Sequence, residues 1–313
     1  MSGFEAVAYE PSRRDDVRAL MERVWGESAS PEDFDWWYER NPGGPRLLSL
    51  VVDDGRVAGA SGMSFFRMRI GGQESTIAFA LDAAMHPDYR GRGLWSVLEL
   101  HNEAECLRAG AVAVLGFPNA VSDSILVGKL GWRELPRLRL WARPVSPLAR
   151  VSGLRPVPGE TLERFGEEEE DVYRRVSAGW GNHLLRNAAH LNWRFVDSPR
   201  PYRILADRRD GVLEGWAVVT HRRFRGHAVG VLADLVALTG RAAGALLRRA
   251  ARAVRGQALV ALVPPRERGR FLAAGFLPTH MSLRLIGKPL VPGVELAAER
   301  AIWHLTLGDT DLF

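Results

Sequence analysis

The chain repeats itself at an offset of 156 residues, and this repeat constrains the fold more than any other sequence feature. The matches run through a whole segment rather than a single motif, which is typical of a duplicated structural unit. The matched pairs are Trp37 with Trp193, Pro45 with Pro201, Asp54 with Asp210, Gly55 with Gly211, and Gly59 with Gly215. We therefore expect two copies of one domain.

Each copy contains the same order of sequence patterns. An aromatic-rich helical segment leads to a strand, an Asp-Gly turn signal and a second strand, which together predict a β-hairpin. A third strand, a long helix, an apolar strand and a short helix ending in a Gly-aromatic pair follow. The expected strands are 47–52, 57–65, 76–85 and 111–117 in the first copy, and 203–206, 213–220, 230–238 and 258–263 in the second. This order predicts an α/β fold with a mixed sheet, duplicated in tandem.

The length of 313 residues agrees with two domains of roughly 150 residues each. We place the first domain at residues 1–143 and the second at 161–287. Residues 144–160 are rich in Pro, Gly and Ser and indicate a linker, and 288–313 form the expected C-terminal tail.

Composition excludes several classes of protein. The single cysteine, Cys106, rules out an internal disulfide and a Cys-rich metal site. His183 and His190 have no Cys or carboxylate partners at metal-ligand spacing, and no HExxH motif occurs, so we expect no metal. A basic-apolar leader and an apolar run of roughly 18 residues are both missing from the sequence. A cytoplasmic protein without membrane contact is therefore expected.

The net charge of +5 does not by itself indicate a nucleic-acid partner. Nearly all the basic residues are arginines, and they are spread along the chain. One expected helix gathers several of them, which we interpret as a solvated face: Arg241, Arg248, Arg249, Arg252 and Arg255. Attraction of an anionic cofactor is an alternative use of the surplus charge. We expect such a cofactor and no nucleic acid.

The segment 86–94, His-Pro-Asp-Tyr-Arg-Gly-Arg-Gly-Leu, lies between an expected strand and an expected helix. Gly91 and Gly93 permit positive φ angles and close approach of bare amides to an oxygen-rich ligand. The helix that follows offers free N–H groups to a pyrophosphate, and Arg90 and Arg92 add positive charge. The segment predicts a phosphate-binding loop, with a tight turn carrying exposed arginines as the structural alternative.

This segment resembles the acyl-CoA loop of the GCN5-related N-acetyltransferases, the GNAT superfamily. Asn119 and Lys129-Leu130-Gly131-Trp132 resemble a second conserved block of the same superfamily. The resemblance covers about residues 4–142. It implies a tandem GNAT fold in which the strand at 82–85 splays away from the strand at 111–117, and acetyl-CoA as the acyl donor lying in the gap.

The resemblance also implies which residues bind the donor. Main-chain amides of Ala83 and Met85 would hold the acyl and pantetheine portion, and amides from Gly91 to Trp95 the pyrophosphate. Side chains of Asn119 and Ser124 would contact the cofactor arm. The full set is Ala83, Ala84, Met85, Arg90, Gly91, Arg92, Gly93, Leu94, Trp95, Asn119 and Ser124.

Two residues depart from the superfamily pattern. Trp95 stands where Gly or Ala is usual, so we expect its ring to point away from the phosphates. Val127 stands where the tyrosine proton donor is usual, which leaves protonation of the thiolate unassigned. In the second copy, Leu238-Thr239-Gly240-Arg241-Ala242 has too few glycines for the loop, so we expect that copy to have lost cofactor binding and, by resemblance to tandem relatives, to shape the acceptor pocket.

Two groups are candidates for the general base. Asp82 lies in the apolar string 78–85, where a carboxylate is costly unless it is used or paired, and some aminoglycoside acetyltransferases of this superfamily have an Asp at a similar position. Its structural alternative is a cap or an arginine pair. The second candidate is the terminal carboxylate of Phe313, because one tandem group of the superfamily uses a C-terminal phenylalanine in this way. Asp309 and Asp311 would then help to receive a cationic acceptor.

Other residues carry weaker signals. We expect His86 to be structural, and Trp36, Trp37 and Tyr38 to be core residues, with a role in lining the acceptor pocket as the alternative. The expected protein is an N-acetyltransferase that moves a short acyl group from acyl-CoA to a primary amine of a small cationic acceptor, as a monomer or homodimer. Alternatives are acylation in polysaccharide or natural-product assembly, an acyl-CoA sensor without catalysis, and transfer from aminoacyl-tRNA.

Overall fold

The structure is a computed structural model that describes residues 4–26, 30–45, 47–146, 148, 150–224, 226–296 and 302–310. Its strands are β1 Glu5–Ala8, β2 Leu47–Asp53, β3 Arg56–Ile70, β4 Gln73–Met85, β5 Ala111–Gly116, β6 Arg133–Glu134, β7 Leu138–Pro144, β8 Gly153–Leu154, β9 Thr161–Leu162, β10 His183–Leu184, β11 Arg203–Arg209, β12 Val212–Phe224, β13 His227–Ala237, β14 Val254–Arg255, β15 Ala258–Leu262, β16 Leu277–Leu283 and β17 Ile286–Pro289. Its α-helices are α1 Arg14–Trp25, α2 Pro31–Phe34, α3 Leu94–Arg108, α4 Ala120–Leu126, α5 Glu167–Ser177, α6 Ala188–Leu191, α7 Gly240–Ala253 and α8 Arg268–Ala273. No helix within these residues is long and apolar enough to cross a membrane.

The chain divides into two compact units. Unit 1 comprises residues 1–135 and 284–299, and unit 2 comprises 136–283 and 300–313. The sheet of unit 1 runs in the order β1-β2-β3-β4-β5-β17-β6, and that of unit 2 in the order β16-β7-β15-β13-β12-β11-β9. In each sheet one neighbouring pair is parallel, β4 with β5 and β13 with β15, and the other pairs are antiparallel. The expected duplicated mixed-sheet fold is confirmed.

Both predicted hairpins are present and turn at their Asp-Gly pairs. Asp54 and Gly55 have φ angles of 46° and 78°, and Asp210 and Gly211 have φ angles of 53° and 82°. Two successive positive φ angles suit the right-handed twist of the flanking strands, and Asp-Gly reaches them at little steric cost.

Two strands do not belong to the sheet that their position in the sequence suggests. β7 follows the first copy in sequence but pairs with β15 and β16 in unit 2. β17 follows the second copy but pairs with β5 and β6 in unit 1. The units therefore depart from the expected domains 1–143 and 161–287, and part of the expected tail completes the first sheet. Alternating apolar residues make a strand but do not state which sheet it joins.

Apolar clusters cover both faces of the first sheet. On one face α1 and the aromatic segment after it bury Val17, Leu20, Phe34 and Tyr38 against the strands. On the other face, Cys106 of α3 and Leu126 of α4 pack with Trp132. This arrangement leaves the carboxyl end of β4 between the two helical layers, which is where the candidate site lies.

Candidate active site

The hydrogen-bonded pairing between strands β4 and β5 ends about half-way along β4. Their ladder runs from the pair Thr76 and Ala111 to the pair Ala80 and Gly116. The ladder between β4 and β3 continues further, to Met85 opposite Gly59. The splay expected of the strand at 82–85 is therefore present, and it opens a gap beside Ala83, Ala84 and Met85, of which Ala83 is exposed and Ala84 buried.

Asp82 lies at a β-bulge at the start of this gap. The register between β3 and β4 shifts between Ala60 and Gly62, so that Asp82 and Ala83 together face Ser61. Asp82 has a φ of 51°, a left-handed conformation that Asp adopts more readily than most residues. Bulges next to active sites commonly re-aim a side chain.

The carboxylate of Asp82 is bound by a tyrosine. The hydroxyl of Tyr38 donates a hydrogen bond of 2.7 Å to Oδ2 of Asp82. Tyr38 is buried within the apolar cluster below the sheet, as expected for a core residue, but its hydroxyl reaches the half-buried carboxylate. The predicted alternative for Asp82 was a cap or an arginine pair, and neither anticipated this contact.

The loop after β4 turns through both predicted glycines. Gly91 has a φ of 77° and Gly93 a φ of 76°, and a Cβ added at either would meet no atom within 4 Å. These positions therefore require glycine for backbone conformation, and the space that a side chain would fill is open. Gly93 is the N-cap residue of α3 and brings no side chain to its first N–H groups.

Arg90 and Arg92 donate hydrogen bonds to main-chain carbonyl groups of the loop and of the strand before it. The Nε of Arg90 donates to the carbonyl of Met85 at 3.2 Å, and Nη2 of Arg92 donates to the carbonyl of Asp88 at 3.0 Å. The guanidinium of Arg92 also lies 5.2 Å from the ring centre of Tyr89. Both side chains are exposed, so their charge stands next to the bare amides of the loop.

His86 is a structural residue at the end of β4, as expected. Its side chain is buried and lies 3.3 Å from both the amide of Asp88 and Nη2 of Arg56. Burial lowers the pKa of His86, and Arg56 acts in the same direction, against the carboxylate of Asp88. A neutral imidazole that fixes the loop follows from this environment.

The helix α3 turns a polar face toward the sheet, which the sequence patterns did not reveal. Oε1 of Glu99 accepts hydrogen bonds from Ser61 at 2.6 Å and from the indole of Trp95 at 2.7 Å. Burial raises the pKa of Glu99, whose Oε2 is buried without a partner, as is Oδ1 of Asn102 one turn further on. The Trp95 ring is thus held along the helix toward Glu99, and its orientation away from bound phosphates stays a prediction.

A second carboxylate on α3, that of Glu103, has a cationic partner. Oε1 of Glu103 accepts from the indole of Trp132 at 2.8 Å, and Oε2 accepts from Nζ of Lys288 in β17 at 2.5 Å. Cys106, one turn further on, is buried, and burial raises the pKa of its thiol to about 12. Its thiol is therefore an inert core group.

The second predicted block caps the helix beside β5. Oδ1 of Asn119 accepts from the amides of Val121 and Ser122, each at 2.9 Å, so this side chain is the N-cap of α4. The hydroxyl of Ser124 donates to the carbonyl of Val121 at 2.8 Å. Asn119 and Ser124 are exposed. Val127, which stands where the superfamily usually has a tyrosine proton donor, is half-buried and packs against the core.

Unit 2 contains an aspartate at the position equivalent to Asp82. Met85 pairs with Gly59 and Ala237 pairs with the repeated glycine Gly215, so Asp234 occupies the same place in β13 that Asp82 occupies in β4. Unlike Asp82, Asp234 is fully buried and bound by Arg186, whose Nε lies 3.1 Å from both carboxylate oxygens.

The same region of unit 2 is filled by the chain itself. Leu307 packs with Val231 of β13 and Leu262 of β15, where these two strands diverge. Gly308 lies so close to the bulge residue Ala233 that an added Cβ would be 2.8 Å from its carbonyl oxygen. The space left beside Asp234 and Thr306 has a volume of about 10 Å³, room for at most one water.

Two buried arginines hold this filling segment. Nη2 of Arg186 donates to Asp309 at 2.9 Å, and Arg194 donates to the carbonyls of Gly308 and Thr310 at 2.9 and 3.0 Å. Asp309 is therefore an internal ion-pair partner in unit 2, which corrects the expectation that it would receive a cationic acceptor. Phe313 and Asp311, the other members of that hypothesis, lie outside the described residues.

The helix that follows in unit 2 confirms the loss of the glycine loop. The Thr239 hydroxyl caps α7, accepting from the amide of Ala242 at 3.1 Å, where α3 has the bare Gly93. The two histidines that were considered as metal ligands and rejected lie in other surroundings. The ring of His183 lies 3.0 Å from the Tyr173 hydroxyl. Burial lowers the pKa of His190 to about 4. Among the described residues no group of three or more His, Cys, Asp or Glu could hold a metal ion.

Comparison with known proteins agrees with this geometry. Residues 7–134 match the family model of the acetyltransferase (GNAT) domain. Unit 1 carries a GNAT acetyltransferase domain. The matched segment includes the splayed strand, the bulge at Asp82, the glycine loop and α4. No curated protein sequence matches the chain.

Solved structures extend the likeness over both units. A GCN5-related N-acetyltransferase from Anabaena variabilis superposes with a TM-score of 0.67 at 16% identity, over 92% of this chain and 73% of that one. A probable N-acyltransferase from Enterococcus faecalis gives a TM-score of 0.66 at 13% identity over the same shares. A putative acetyltransferase from Pyrococcus horikoshii gives 0.59 at 13% identity, over 97% of this chain and 95% of that one. At these identities the likeness shows the tandem GNAT fold.

Proposed function

We propose that unit 1 transfers an acetyl or other short acyl group from acyl-CoA to a primary amine of a small, cationic acceptor. The observation that carries this proposal is the end of the β4–β5 ladder at Ala80, followed at once by the bulge at Asp82 and the glycine loop. A gap lined by main-chain groups thus leads from a carboxylate to the amino end of a helix.

Each part of this arrangement suits one part of the donor. The amides of Ala83 and Met85 would hold the acyl and pantetheine portion along the gap. The positive-φ residues Gly91 and Gly93 would bring bare amides and the α3 dipole to the pyrophosphate, with Arg90 and Arg92 beside them. Asn119 and Ser124 would border the arm from α4.

Asp82 would serve as the base. An amine is protonated near neutral pH, so its proton must pass to a base before the nitrogen can attack the thioester carbon. The carboxylate of Asp82 lies in β4 beside the amides that would polarise the thioester oxygen. A C–N bond then forms, the C–S bond breaks, and the leaving thiolate takes up the second proton that the nitrogen loses, which gives the free thiol. A cationic acceptor fits this half-buried anion, whereas an acceptor with no charge gains nothing from it.

Calorimetric titration with acetyl-CoA tests the loop. Gly93→Trp adds a large ring and forces a positive φ on a residue that disfavours it, and we expect at least about a tenfold weaker Kd, or 1.4 kcal/mol. Gly72→Trp is the matched control, because Gly72 also has a positive φ of 85° and open space around it but lies in the hairpin at the far end of β4. Equal affinity for wild type and Gly93→Trp would contradict the loop assignment.

Release of free thiol from acetyl-CoA, measured across a panel of amines, tests catalysis. We expect turnover with small polycations such as amino sugars and polyamines. We expect none with uncharged analogues in which hydroxyl groups replace the amines. Binding of acetyl-CoA with no release of thiol in the presence of any amine would instead identify an acyl-CoA-binding protein without transferase activity.

A further inference from the structure

Tyr38 joins the core of unit 1 to its candidate site. The ring is 6% exposed and lies 4.8 Å from the ring centre of Phe34 within the apolar cluster. Its hydroxyl emerges from this cluster and donates the 2.7 Å hydrogen bond to Asp82. This hydrogen bond satisfies a hydroxyl whose burial would otherwise be costly, and it ties that hydroxyl to a carboxylate that is still half exposed.

Two backbone irregularities bring these groups together. Tyr38 lies in a π-helical turn, Asp35–Glu39, and Asp82 lies at the bulge of β4 with a positive φ. Each irregularity inserts one residue into a regular element and redirects a side chain. In unit 1 both irregularities therefore lie at the contact between Tyr38 and Asp82.

Unit 2 provides an internal comparison. It has its own π-helical turn, Asn192–Val196, whose fourth residue is Phe195, as Tyr38 is the fourth residue of Asp35–Glu39. Counted in this way, Trp193 corresponds to Trp36, one residue away from the match with Trp37 in the sequence repeat. The equivalent carboxylate, Asp234, is bound by Arg186 in a region that the chain itself fills. The copy with an open gap has the tyrosine, and the copy with a filled gap has phenylalanine.

We propose that Tyr38 is a positioning residue for acyl transfer, holding the Asp82 carboxylate ionised and aimed at the acceptor amine. This inference rests on the proposed function of Asp82 as the base. A hydrogen bond to a carboxylate stabilises its charged form. A fixed hydroxyl also limits the rotation of the side chain, and so keeps the proton acceptor in place between turnovers.

The groups around the contact come from several elements. Opposite the bulge, β3 presents the uncharged Ser61 and Gly62. On the same turn as Tyr38, Asp35 is paired with Arg14 of α1 at 2.6 Å, and Glu39 is exposed. Beyond Asp82 along β4, His86 is buried with a lowered pKa. Tyr38→Phe removes the hydroxyl and none of these charged groups, so a changed titration of Asp82 reports the loss of that hydroxyl.

The test compares Tyr38→Phe with Tyr9→Phe. Tyr9 belongs to the same buried cluster and its ring also contacts Phe34, so the control removes a hydroxyl of similar burial. The titration of Asp82 is followed by carbon-13 NMR of labelled aspartate carboxyls, with Asp82→Asn supplying the assignment. We expect the pKa of Asp82 to rise by about one unit in Tyr38→Phe and to stay unchanged in Tyr9→Phe.

Activity gives a second readout. The acid limb of the kcat/KM profile should move to higher pH in Tyr38→Phe by the same amount, with about a tenfold loss below the limb and a smaller loss above it. A merely structural role for Tyr38 would lower the profile at every pH without moving the limb. An unchanged carboxyl titration in Tyr38→Phe would overturn the proposal.

A second variant covers the case in which Tyr38→Phe does not fold. A Cβ at Gly62 would lie 2.6 Å from the Tyr38 hydroxyl, so Gly62→Ala displaces that hydroxyl without removing it. We expect the same direction of shift, and no shift would overturn the proposal. If wild type transfers acyl groups to no amine, the proposed function fails, whereas the carboxyl titration still decides whether the contact tunes Asp82.

Discussion

Asp82 in unit 1 and Asp234 in unit 2 occupy the same place in two copies of one strand, yet their surroundings are opposite. Asp82 is half-buried, bound by a tyrosine hydroxyl and followed by a gap between strands. Asp234 is buried, bound through both oxygens by Arg186 and followed by a gap that residues 307–309 fill. A duplicated site thus retains its carboxylate in both copies but leaves it available in only one.

The helix that follows each strand differs in the same sense. In unit 1 the first turn of α3 follows a glycine, so its N–H groups have no capping side chain from that position. In unit 2 the Thr239 hydroxyl accepts from an N–H of α7 and also donates to Glu214 at 2.9 Å. In unit 2 internal hydrogen bonds thus engage both the carboxylate of the strand and the first turn of the helix that follows it.

The largest expected effect comes from exchanging the two aspartates for asparagine. Asp82→Asn should lower the rate of acyl transfer by about 10²–10⁴-fold, because an amide cannot accept the ammonium proton. Its fold should be kept, since Asn also adopts positive φ readily. Asp234→Asn should lower the stability and leave the rate per folded molecule unchanged. Thiol release and thermal unfolding of both variants check this, and a full rate for Asp82→Asn at every pH would break the comparison.

The next largest effect concerns the arginine that neutralises Asp234. Arg186→Met leaves Asp234 and Asp309 buried without their cation, so we expect a loss of about 3–5 kcal/mol in the free energy of unfolding. Arg164→Met breaks an exposed pair with Asp197 and should cost about 0–1 kcal/mol. Denaturant titration measures both. Similar midpoints for the two variants would show that Arg186 does not hold the filled site together.

The smallest expected effect concerns Glu99 of unit 1. Its carboxyl group is buried like that of Asp234 but is not paired with any arginine that the structure describes. Burial raises the pKa of Glu99, so the folded state keeps its proton while the unfolded state ionises above about pH 4.3. Stability should therefore fall as pH rises from there through the folded pKa. Glu99→Gln keeps an acceptor for Ser61 and Trp95 and adds a donor near Asn102.

For Glu99→Gln we expect a gain of about 1 kcal/mol at neutral pH and the loss of that pH dependence. Glu105→Gln is the control on the same helix, where the carboxylate lies 3.7 Å from His101 and is not fully buried, and its effect should stay within about 0.5 kcal/mol. Unfolding free energies at pH 4, 6 and 8 decide between them. Unchanged stability of Glu99→Gln at all three would mean that Glu99 is ionised in the fold.

Local signals in the sequence were enough for the repeat, the hairpins and the glycine loop. Asp-Gly pairs and Gly91 with Gly93 require particular backbone angles, so their roles can be predicted from residue type. The contact between Tyr38 and Asp82 could not be predicted in this way, because it depends on one inserted residue in a turn and another in a strand. Neither insertion leaves a compositional trace.

The polar face of α3 was hidden for a different reason. Glu99, Asn102 and Glu103 share the spacing of a buried face with Leu98 and Cys106, but long polar residues at such positions are normally assigned to solvent. Their partners, Ser61, Trp132 and Lys288, are distant in sequence. Only the assembled sheet brings these residues together.

The strands β7 and β17, each of which joins the sheet of the other copy, have a consequence for synthesis of the chain. The first sheet is completed by Ile286–Pro289, so during translation it lacks an inner strand until these residues have emerged. A nascent chain stopped at residue 160 would carry the glycine loop and Asp82 but also an open strand edge at β5, a template for pairing with other chains. A cut between the two copies of the gene would therefore take an inner strand from each sheet, β17 from the first and β7 from the second.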